Sequence, residues 1–456
     1  MSALAAEMAT IDLGDARRNR RAQQVLGQLG NKPRESIPGA CGGWTETRAV
    51  YRLFNHKKVT AEKVLAPHIA CTVERLREHS RVLCIQDTSE LDYTGKTDIQ
   101  GLGPLNYESR QGLYLHPTLA VTPDRLCLGV LDIYSWVREP GSLGRNDDPN
   151  RPLEEKESVR WVDGYRKVNE LAESLTDTRL TYVSDREGDI YDLFVEAPCP
   201  EAAADWLVRG QHDRALAAGG TLRRSLAEAP VLAEITFEQP GGNGRTARTV
   251  HQELKAVRVT LKAPYRPDRV LPDTEVTALL ATEPHPPAGE EPVEWLLLTN
   301  LPVETAEQAL EKLQWYLCRW QIEIFFRILK SGCRIEDLQL EKLERLEPAL
   351  AFYMIIAWRV LFLTMLGREC PEMPCDVVFE EAEWQAVYLV TQRQPPPDTP
   401  PSLDRMVRMI AGLGGFLDRK CDGFPGPQTL WIGLQRAADF VLALEAQRSI
   451  GAGGDG

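Results

Sequence analysis

The spacing of apolar residues changes along the chain and divides it into segments. Residues 1 to about 65 carry apolar positions at helical intervals, and Gly14-Asp15 forms a plausible turn and N-cap before an amphipathic stretch that includes Leu26 and Leu29. From about residue 80 the apolar positions gather instead into short runs, which are typical of buried strands. The pattern predicts a helical N-terminal segment followed by an α/β region.

The α/β region begins with elements in the order β-β-β-α-β. Strands are predicted at 82–85, 113–121 and 126–137, a helix at 152–176, and a further strand at 180–184. Thr122-Pro123-Asp124 has the composition of a turn, so the second and third strands should form an antiparallel hairpin. Two of these strands, the first and the last, end at an aspartate.

The remaining residues predict a β-rich insertion and then mainly helices. Short strands at 206–208, 257–261 and 295–298 are separated by turns rich in Gly and Pro, so residues 195–300 form the insertion. Helical patterns cover 303–332, 343–367 and 403–449, and the Pro-rich segment 395–401 is a linker. Three domains are therefore predicted: 1–65, 66–368 and 369–456.

Composition narrows the class of protein. The chain has 456 residues, 43% of them hydrophobic, which allows a large core. No apolar run reaches the roughly 18 residues of a membrane span, and the N-terminus lacks the order of a secretory signal, so we expect a cytoplasmic protein. The ten cysteines include no C-x-x-C pair, which predicts reduced thiols and argues against a disulfide framework or a structural zinc site.

The net charge of −13 is unevenly distributed. Residues 1–60 hold ten Lys or Arg and five Asp or Glu, so this segment is +5 and the rest of the chain is −18. A basic N-terminal module on an acidic body fits a phosphate-binding head, and it fits a merely solvated charged face equally well.

Two acids stand at strand ends, and a third lies on a helix. Asp87 ends the strand of CIQDTSELDY, and Asp185 ends that of TYVSDREGDIYD. An isolated aspartate at a strand end is usually a turn cap. Two-metal phosphoryl transfer, however, needs carboxylates that converge from different elements, and Mg²⁺ prefers such hard oxygen ligands. The third candidate for this group is Glu323.

Glu323 shares a predicted helix face with three other polar side chains. At 100° per residue Tyr316, Arg319, Glu323 and Lys330 fall within a stripe about 60° wide. A solvated helix could carry such a stripe. A helix that faces phosphates and bears a metal-binding glutamate would carry it too, because its cations would hold the phosphates beside the carboxylate.

These residues resemble a known family. The spacing Tyr-x2-Arg-x3-Glu-x6-Lys is similar to the signature of bacterial insertion-sequence transposases, the DDE enzymes of the IS4 group, and within it to the Tn5 type. The resemblance covers nearly the whole chain: LGDARRNRRA near the N-terminus, the two aspartate motifs, EKESVRW between them, EPVEWLLLTNLPVETAEQAL before the signature, and LGGFLDRK near the end.

The resemblance implies a role for each matching residue. Asp87, Asp185 and Glu323 would be catalytic and would hold two Mg²⁺ or Mn²⁺ ions per active site. DNA contacts would come from Arg17, Arg18, Arg21, Arg209, His212, Arg214, Trp295, Tyr316, Arg319 and Lys330. Among these, Trp295 would stack on a flipped base; judged from its strand alone, it is a core tryptophan.

The implied architecture is an RNase-H-like α/β core with a β-rich insertion, flanked by a helical DNA-binding domain and a helical dimerisation region. The implied activity is cut-and-paste transposition of double-stranded DNA by a homodimer, through a hairpin intermediate. Three alternatives stay open: a catalytically silent DNA-binding regulator or inhibitor, an RNase-H-like nuclease without strand transfer, and a generic acidic α/β protein.

Overall fold

The N-terminal part of the chain is helical, as the sequence predicts. In the computed structural model, residues 3–96, 99–143, 151–196, 204–239, 241 and 247–452 are described. The described chain opens with α1 (Ala3–Ala6), α2 (Ala16–Asn31), α3 (Ile37–Ala40), α4 (Trp44–Phe54) and α5 (Ala61–Leu76). The predicted cap is confirmed, because the Asp15 side chain accepts bonds from the first backbone N–H groups of α2. Helix α5 continues past residue 65, so the chain has no break at the predicted domain boundary.

A single mixed sheet forms the centre of the molecule. Its described strands are β1 (Arg81–Gln86), β2 (Ser89–Asp92), β3 (Gly103–Pro104), β4 (Gln111–Val121), β5 (Cys127–Trp136), β6 (Arg179–Ser184), β7 (Ala204–Arg209), β8 (Val231–Gln239), β9 (Arg248–Leu261), β10 (Thr274–Thr282) and β11 (Glu294–Thr299). Their order is β2-β4-β1-β6-β7-β11-β10-β9-β8, and β3 and β5 also pair with β4.

The half of this sheet that contains β1 and β4 to β7 has the RNase-H-like arrangement that the sequence predicts. Strands β5, β4 and β1 are antiparallel neighbours, whereas β6 and β7 continue from β1 in parallel. The connection from β5 to β6 contains α6 (Val159–Glu173), since β6 pairs with β1 and runs in the same direction as β5, so the chain must cross over the sheet. Between β6 and β7 lies the short helix α7 (Tyr191–Glu196).

The β-rich insertion is part of the same sheet. Strand β11 pairs with β7 through Leu298 and Val208, and β10, β9 and β8 follow outward as an antiparallel meander. The insertion also contains α8 (Leu222–Glu228). The sequence analysis missed strands β8 and β10, although β8 alternates from Glu234 to Glu238 between exposed polar and half-buried apolar residues.

The predicted helix 303–332 is wrong as a continuous element. The structure has α9 (Ala306–Leu317), α10 (Trp320–Arg327) and then a π-helical turn (Ile328–Gly332). At the junction Arg319 N donates to Tyr316 O at 3.0 Å, an i→i+3 bond that tightens the turn. The helical wheel therefore does not hold across the whole signature.

Helix α11 (Leu343–Glu369) is the central core helix and confirms the predicted one. It packs against α2, α5 and β5. By length and composition it could cross a membrane, but 89% of its most apolar stretch is buried inside the protein. Its apolar character therefore serves the core, in which Trp358 donates to Cys127 O at 2.9 Å.

The C-terminal region is a helical bundle, although the predicted single segment 403–449 is divided. The helices are α12 (Glu381–Gln392), α13 (Leu403–Leu413) and α14 (Pro427–Ala452). A close turn follows α13, where a Cβ atom on Gly414 would lie 1.8 Å from Thr429 O, and Gly415 has φ +98°. Two successive glycines thus separate helices that the apolar pattern joins.

Candidate active site

The two predicted aspartates lie side by side at one edge of the sheet. Strands β1 and β6 are parallel, with Ile85 opposite Val183, so both carboxyl ends emerge together. Asp87 accepts the Thr88 N–H at 2.8 Å. Asp185 accepts the Glu187 N–H at 2.9 Å and caps the short 3-10 turn that follows β6. The turn-cap role and the proximity of the two acids therefore coexist.

Arg319 joins the first aspartate to the glutamate of the signature. Its Nη1 donates to Asp87 Oδ2 at 2.9 Å, and its Nη2 donates to Glu323 Oε1 at 2.5 Å. The Arg319 side chain is only 9% exposed, whereas that of Glu323 is 39% exposed. The guanidinium thus links the sheet edge to α10 and brings Glu323 to the side where Asp87 lies.

The surroundings of Asp87 disfavour the ionised form of its carboxyl group. Burial raises the pKa of Asp87 to about 7, the nearby Asp185 adds to the rise, and Arg319 opposes it. Glu323 also raises this pKa, so Asp87 interacts electrostatically with both of the other predicted acids. Perturbed carboxyl groups of this kind mark candidate functional sites.

The three acids do not form a closed cage. Among the described residues, no three His, Cys, Asp or Glu side chains lie in a coordinating cluster. Arg319 stands between Asp87 and Glu323. The structure therefore brings the predicted ligands to one place without gathering their oxygens around a single point, and their catalytic roles stay predictions.

The signature residues differ in exposure. Tyr316 and Arg319 are buried, whereas Glu323 and Lys330 are partly exposed. Lys330 Nζ lies 3.8 Å from Glu336 Oε1. The pKa of Tyr316 is raised by burial, with Arg319 and Arg209 acting against the rise. Tyr316, Arg319 and Glu323 remain neighbours, since the Arg319 guanidinium lies 6.0 Å from the Tyr316 ring centre and bonds to Glu323, but exposure rises along the signature.

A large cleft opens beside Asp185. It has a volume of about 1100 Å³ and is lined by Asp185, Arg209, Trp295, Arg319 and Trp320, among others. The Trp295 ring is half-buried and stacks on Phe237 at a centroid distance of 6.1 Å. The tryptophan therefore lines the cleft and is not enclosed in the core. Its predicted contact with a base stays a prediction.

The sequence missed one aromatic residue of this cleft. Trp320 is 54% exposed, and the Arg319 guanidinium lies 5.4 Å from its ring centre. Its position next to the signature arginine is the signal that could have found it, because an exposed indole beside a cation is suited to a nucleic-acid surface.

The predicted basic loop is shared between two clefts. Arg209 faces the large cleft, whereas His212 and Arg214 line a second cleft of about 290 Å³. Arg214 donates to the buried Asp189, and that carboxylate also accepts the His212 N–H at 3.0 Å. The Arg214 guanidinium is thus held by the protein and fixes this loop; whether it contacts DNA stays a prediction.

The N-terminal arginines lie at the start of α2. Arg17 is exposed, Arg18 donates to Leu13 O, and Arg21 forms an ion pair with Glu46 of α4. The first of these side chains is open to a partner, whereas the other two also hold the helix in place.

Comparisons with known proteins cover most of the chain. Residues 1–59 match the transposase DNA-binding family, residues 155–359 the transposase DDE domain, and residues 355–454 the transposase Tn5 dimerisation domain.

Among solved structures, the chain is similar to a piggyBac transposase in a cryo-EM structure of its synaptic complex with hairpin DNA. The identity is 8% and the TM-score 0.38, over 78% of this chain and 67% of that one. The three family matches follow one another in the order of a DNA-binding head, a DDE core and a dimerisation region. The chain belongs to the Tn5-like DDE transposases.

Proposed function

We propose that this transposase cuts and pastes its own insertion sequence, of the IS4 group, in the bacterial cytoplasm. It binds the ends of the element, cleaves them through a DNA hairpin and joins the freed 3′ ends to target DNA. One observation carries the proposal: Asp87 and Asp185 lie at adjacent parallel strand ends, and Arg319 ties Asp87 to Glu323 beside a cleft of about 1100 Å³.

The acids fit divalent metal ions as cofactors. All three offer carboxylate oxygens, which Mg²⁺ and Mn²⁺ prefer. The pKa of Asp87 is raised to about 7 by burial and by Asp185, so a cation would relieve the repulsion between these groups. We propose that Asp87, Asp185 and Glu323 hold two such ions. When bound, they supply Lewis-acid stabilisation of the charge on the transferring phosphoryl group.

The neighbouring side chains position the DNA strand. Arg319 is bonded to two of the proposed acids, Lys330 lies beyond Glu323 in the π-helical turn that follows α10, and Tyr316 is buried at the helix junction. Their proposed task is to hold phosphates near the transposon end, since phosphoryl transfer depends chiefly on positioning and charge neutralisation. Trp295 lines the same cleft, and stacking on Phe237 holds its ring in place for a flipped base.

Binding and assembly are proposed for the flanking regions. Arg17, Arg18 and Arg21 contact the end DNA from the N-terminal head, and Arg209, His212 and Arg214 contact it from the insertion. A homodimer pairs two ends through the C-terminal helices, as the match to a dimerisation domain over residues 355–454 supports.

The deciding experiment combines purified protein, Mg²⁺ and DNA that carries the element's own ends. Nicked, hairpin and excised products are separated on denaturing gels. Wild type should give all three products, and Asp185→Ala should give none. Asp163→Ala, which removes an exposed acid of α6, should give the same products as wild type. Omission of the metal should abolish all products.

A catalytically silent DNA-binding regulator predicts a different result. Such a protein would bind the ends specifically, but neither wild type nor Asp163→Ala would cleave them at any Mg²⁺ or Mn²⁺ concentration. Nicks and double-strand breaks without hairpins would contradict the proposed pathway and support a nuclease-like cleavage.

A further inference from the structure

An exposed tryptophan stands on the DNA-binding head. Trp44 is the first residue of α4, and its side chain is 74% exposed. Helix α4 itself is well anchored, because Val50, Leu53 and Phe54 are buried on its other side. Folding thus leaves a large apolar ring in water on a rigid support, where contact with a partner would remove it from water.

The backbone next to this tryptophan is open to close approach. Gly42 and Gly43 precede it, and a Cβ atom at either position would meet nothing within 4 Å. Gly43 has φ +152°, a backbone conformation that residues with a side chain rarely adopt. A bulky partner can therefore reach both the ring and the backbone beside it.

Exposed arginines lie on the head that carries Trp44. Arg48 lies one helical turn further on the same face and is exposed. The ion pair between Arg21 and Glu46 fixes α2 beside the first turn of α4, so the exposed Arg17 belongs to the adjoining surface. A cationic surface with one protruding aromatic ring suits a polyanion that also has apolar groups at its surface.

We propose that Trp44 is a specificity-determining residue that makes an apolar contact with base edges of the transposon end. The inference rests on the proposed function and refines its end-binding step. We choose duplex DNA as the partner for two reasons. Arg48 and Arg17 are positively charged and can pair with its phosphates, and residues 1–59 match a transposase DNA-binding family. Thymine offers a methyl group in the major groove for such a contact, whereas contacts between arginines and phosphates carry no sequence information.

The test measures binding of full-length protein to two duplexes, one carrying the element's end and one of scrambled sequence, without divalent metal and at several salt concentrations. Trp44→Ala should weaken end binding roughly 10-fold, as the loss of one base contact does, and leave scrambled binding and the salt dependence unchanged. Trp44→Phe should retain part of the discrimination.

Two matched variants separate this role from others. Arg48→Ala should weaken binding to both duplexes alike. It should also lower by about one the slope of log affinity against log salt concentration, as expected for a phosphate contact. Tyr107→Ala, which removes an exposed aromatic outside the head, should change neither duplex. Thermal unfolding checks that each variant is folded.

The outcomes are distinct. Equal end binding by wild type and Trp44→Ala would overturn the inference alone. A loss on both duplexes, or loss of the dimer with intact discrimination, would also overturn it, since Trp44 would then be a general or a protein contact. If wild type itself did not discriminate between the duplexes, the proposed end recognition would fail as well.

Discussion

Two aspartates near the carboxyl ends of the parallel strands β1 and β6 have opposite surroundings: Asp87 follows β1, and the buried Asp189 follows the turn after β6. Asp189 accepts the Gln211 and His212 N–H groups at 2.6 and 3.0 Å, and Arg214 Nε at 3.1 Å. Asp87 accepts one backbone N–H and one guanidinium bond, and two further acids lie near it. Each aspartate has an arginine partner, but Asp189 also accepts two backbone N–H groups, whereas the pKa of Asp87 is raised by two nearby acids.

The difference separates a structural acid from the acid for which a catalytic role is proposed. Asp189 accepts hydrogen bonds from two backbone N–H groups and from Arg214, so it ties the loop after β7 to the turn after β6. At Asp87 burial and like charge outweigh Arg319 and raise the pKa to about 7. A site that is electrostatically costly in the protein alone is suited to bind cations.

The largest effect should follow loss of the structural acid. Asp189→Ala leaves the buried Arg214 guanidinium and two backbone N–H groups without their acceptor. Breaking such a buried pair costs about 3–5 kcal/mol. Chemical denaturation should show this loss in the free energy of unfolding. A change below about 1 kcal/mol would show that water replaces the carboxylate and that the proposed contrast is wrong.

Loss of the functional acid should have the opposite profile. Asp87→Asn removes a proposed metal ligand, so end cleavage should fall by more than about 100-fold. Its free energy of unfolding at pH 8 should be equal to that of wild type or higher, because a repelled charge is gone. Gel assays and denaturation measure the two quantities. Cleavage at the wild-type rate would remove Asp87 from the proposed triad.

A smaller effect should distinguish the two clefts. Trp295→Ala removes a stacking platform worth about 1–3 kcal/mol, so hairpin formation should slow roughly 10-fold or more while the first nick is retained. His212→Ala in the second cleft should weaken DNA binding slightly without a selective loss of hairpins. Equal nicking and hairpin defects in Trp295→Ala would argue for a general role in packing.

The smallest expected effect is a pH dependence of the protein's stability. The folded-state pKa of Asp87 lies above its ordinary value of 3.8, so between these values the folded state holds the proton that the unfolded state has lost. Asp87 therefore lowers stability progressively as the pH rises from about 4 to about 7. In metal-free buffer the Tm of wild type should fall relative to that of Asp87→Asn over this range. A constant difference would show that Asp87 titrates normally.

The sequence predicted the elements whose signals are local. The runs before Asp87 and Asp185 were found because buried strands are continuous apolar segments bounded by polar residues. The cap at Asp15 and helix α11 were found for similar reasons. The match to known transposases then supplied roles that periodicity does not carry.

Several features depended on distant contacts and were missed or predicted wrongly. The break at Arg319 lies in an unbroken helical pattern, and the guanidinium there bonds to Asp87, 232 residues away. Gly414 ends α13 where the backbone of α14 passes closely. Strand β8 takes its place at the sheet edge by pairing with β9, from Gln239 opposite Arg248 onward. In each case a partner far along the chain determines the local structure.

The sequence by itself determined the order of domains, the strand-end acids and the signature residues, because hydrophobic period, capping and motif spacing are properties of neighbouring residues. Only the tertiary structure decided that Arg319 joins two of the acids and that Arg209 and Arg214 face different clefts. The physical reason is that burial and charge at a site are set by every element packed there, and no local pattern records them.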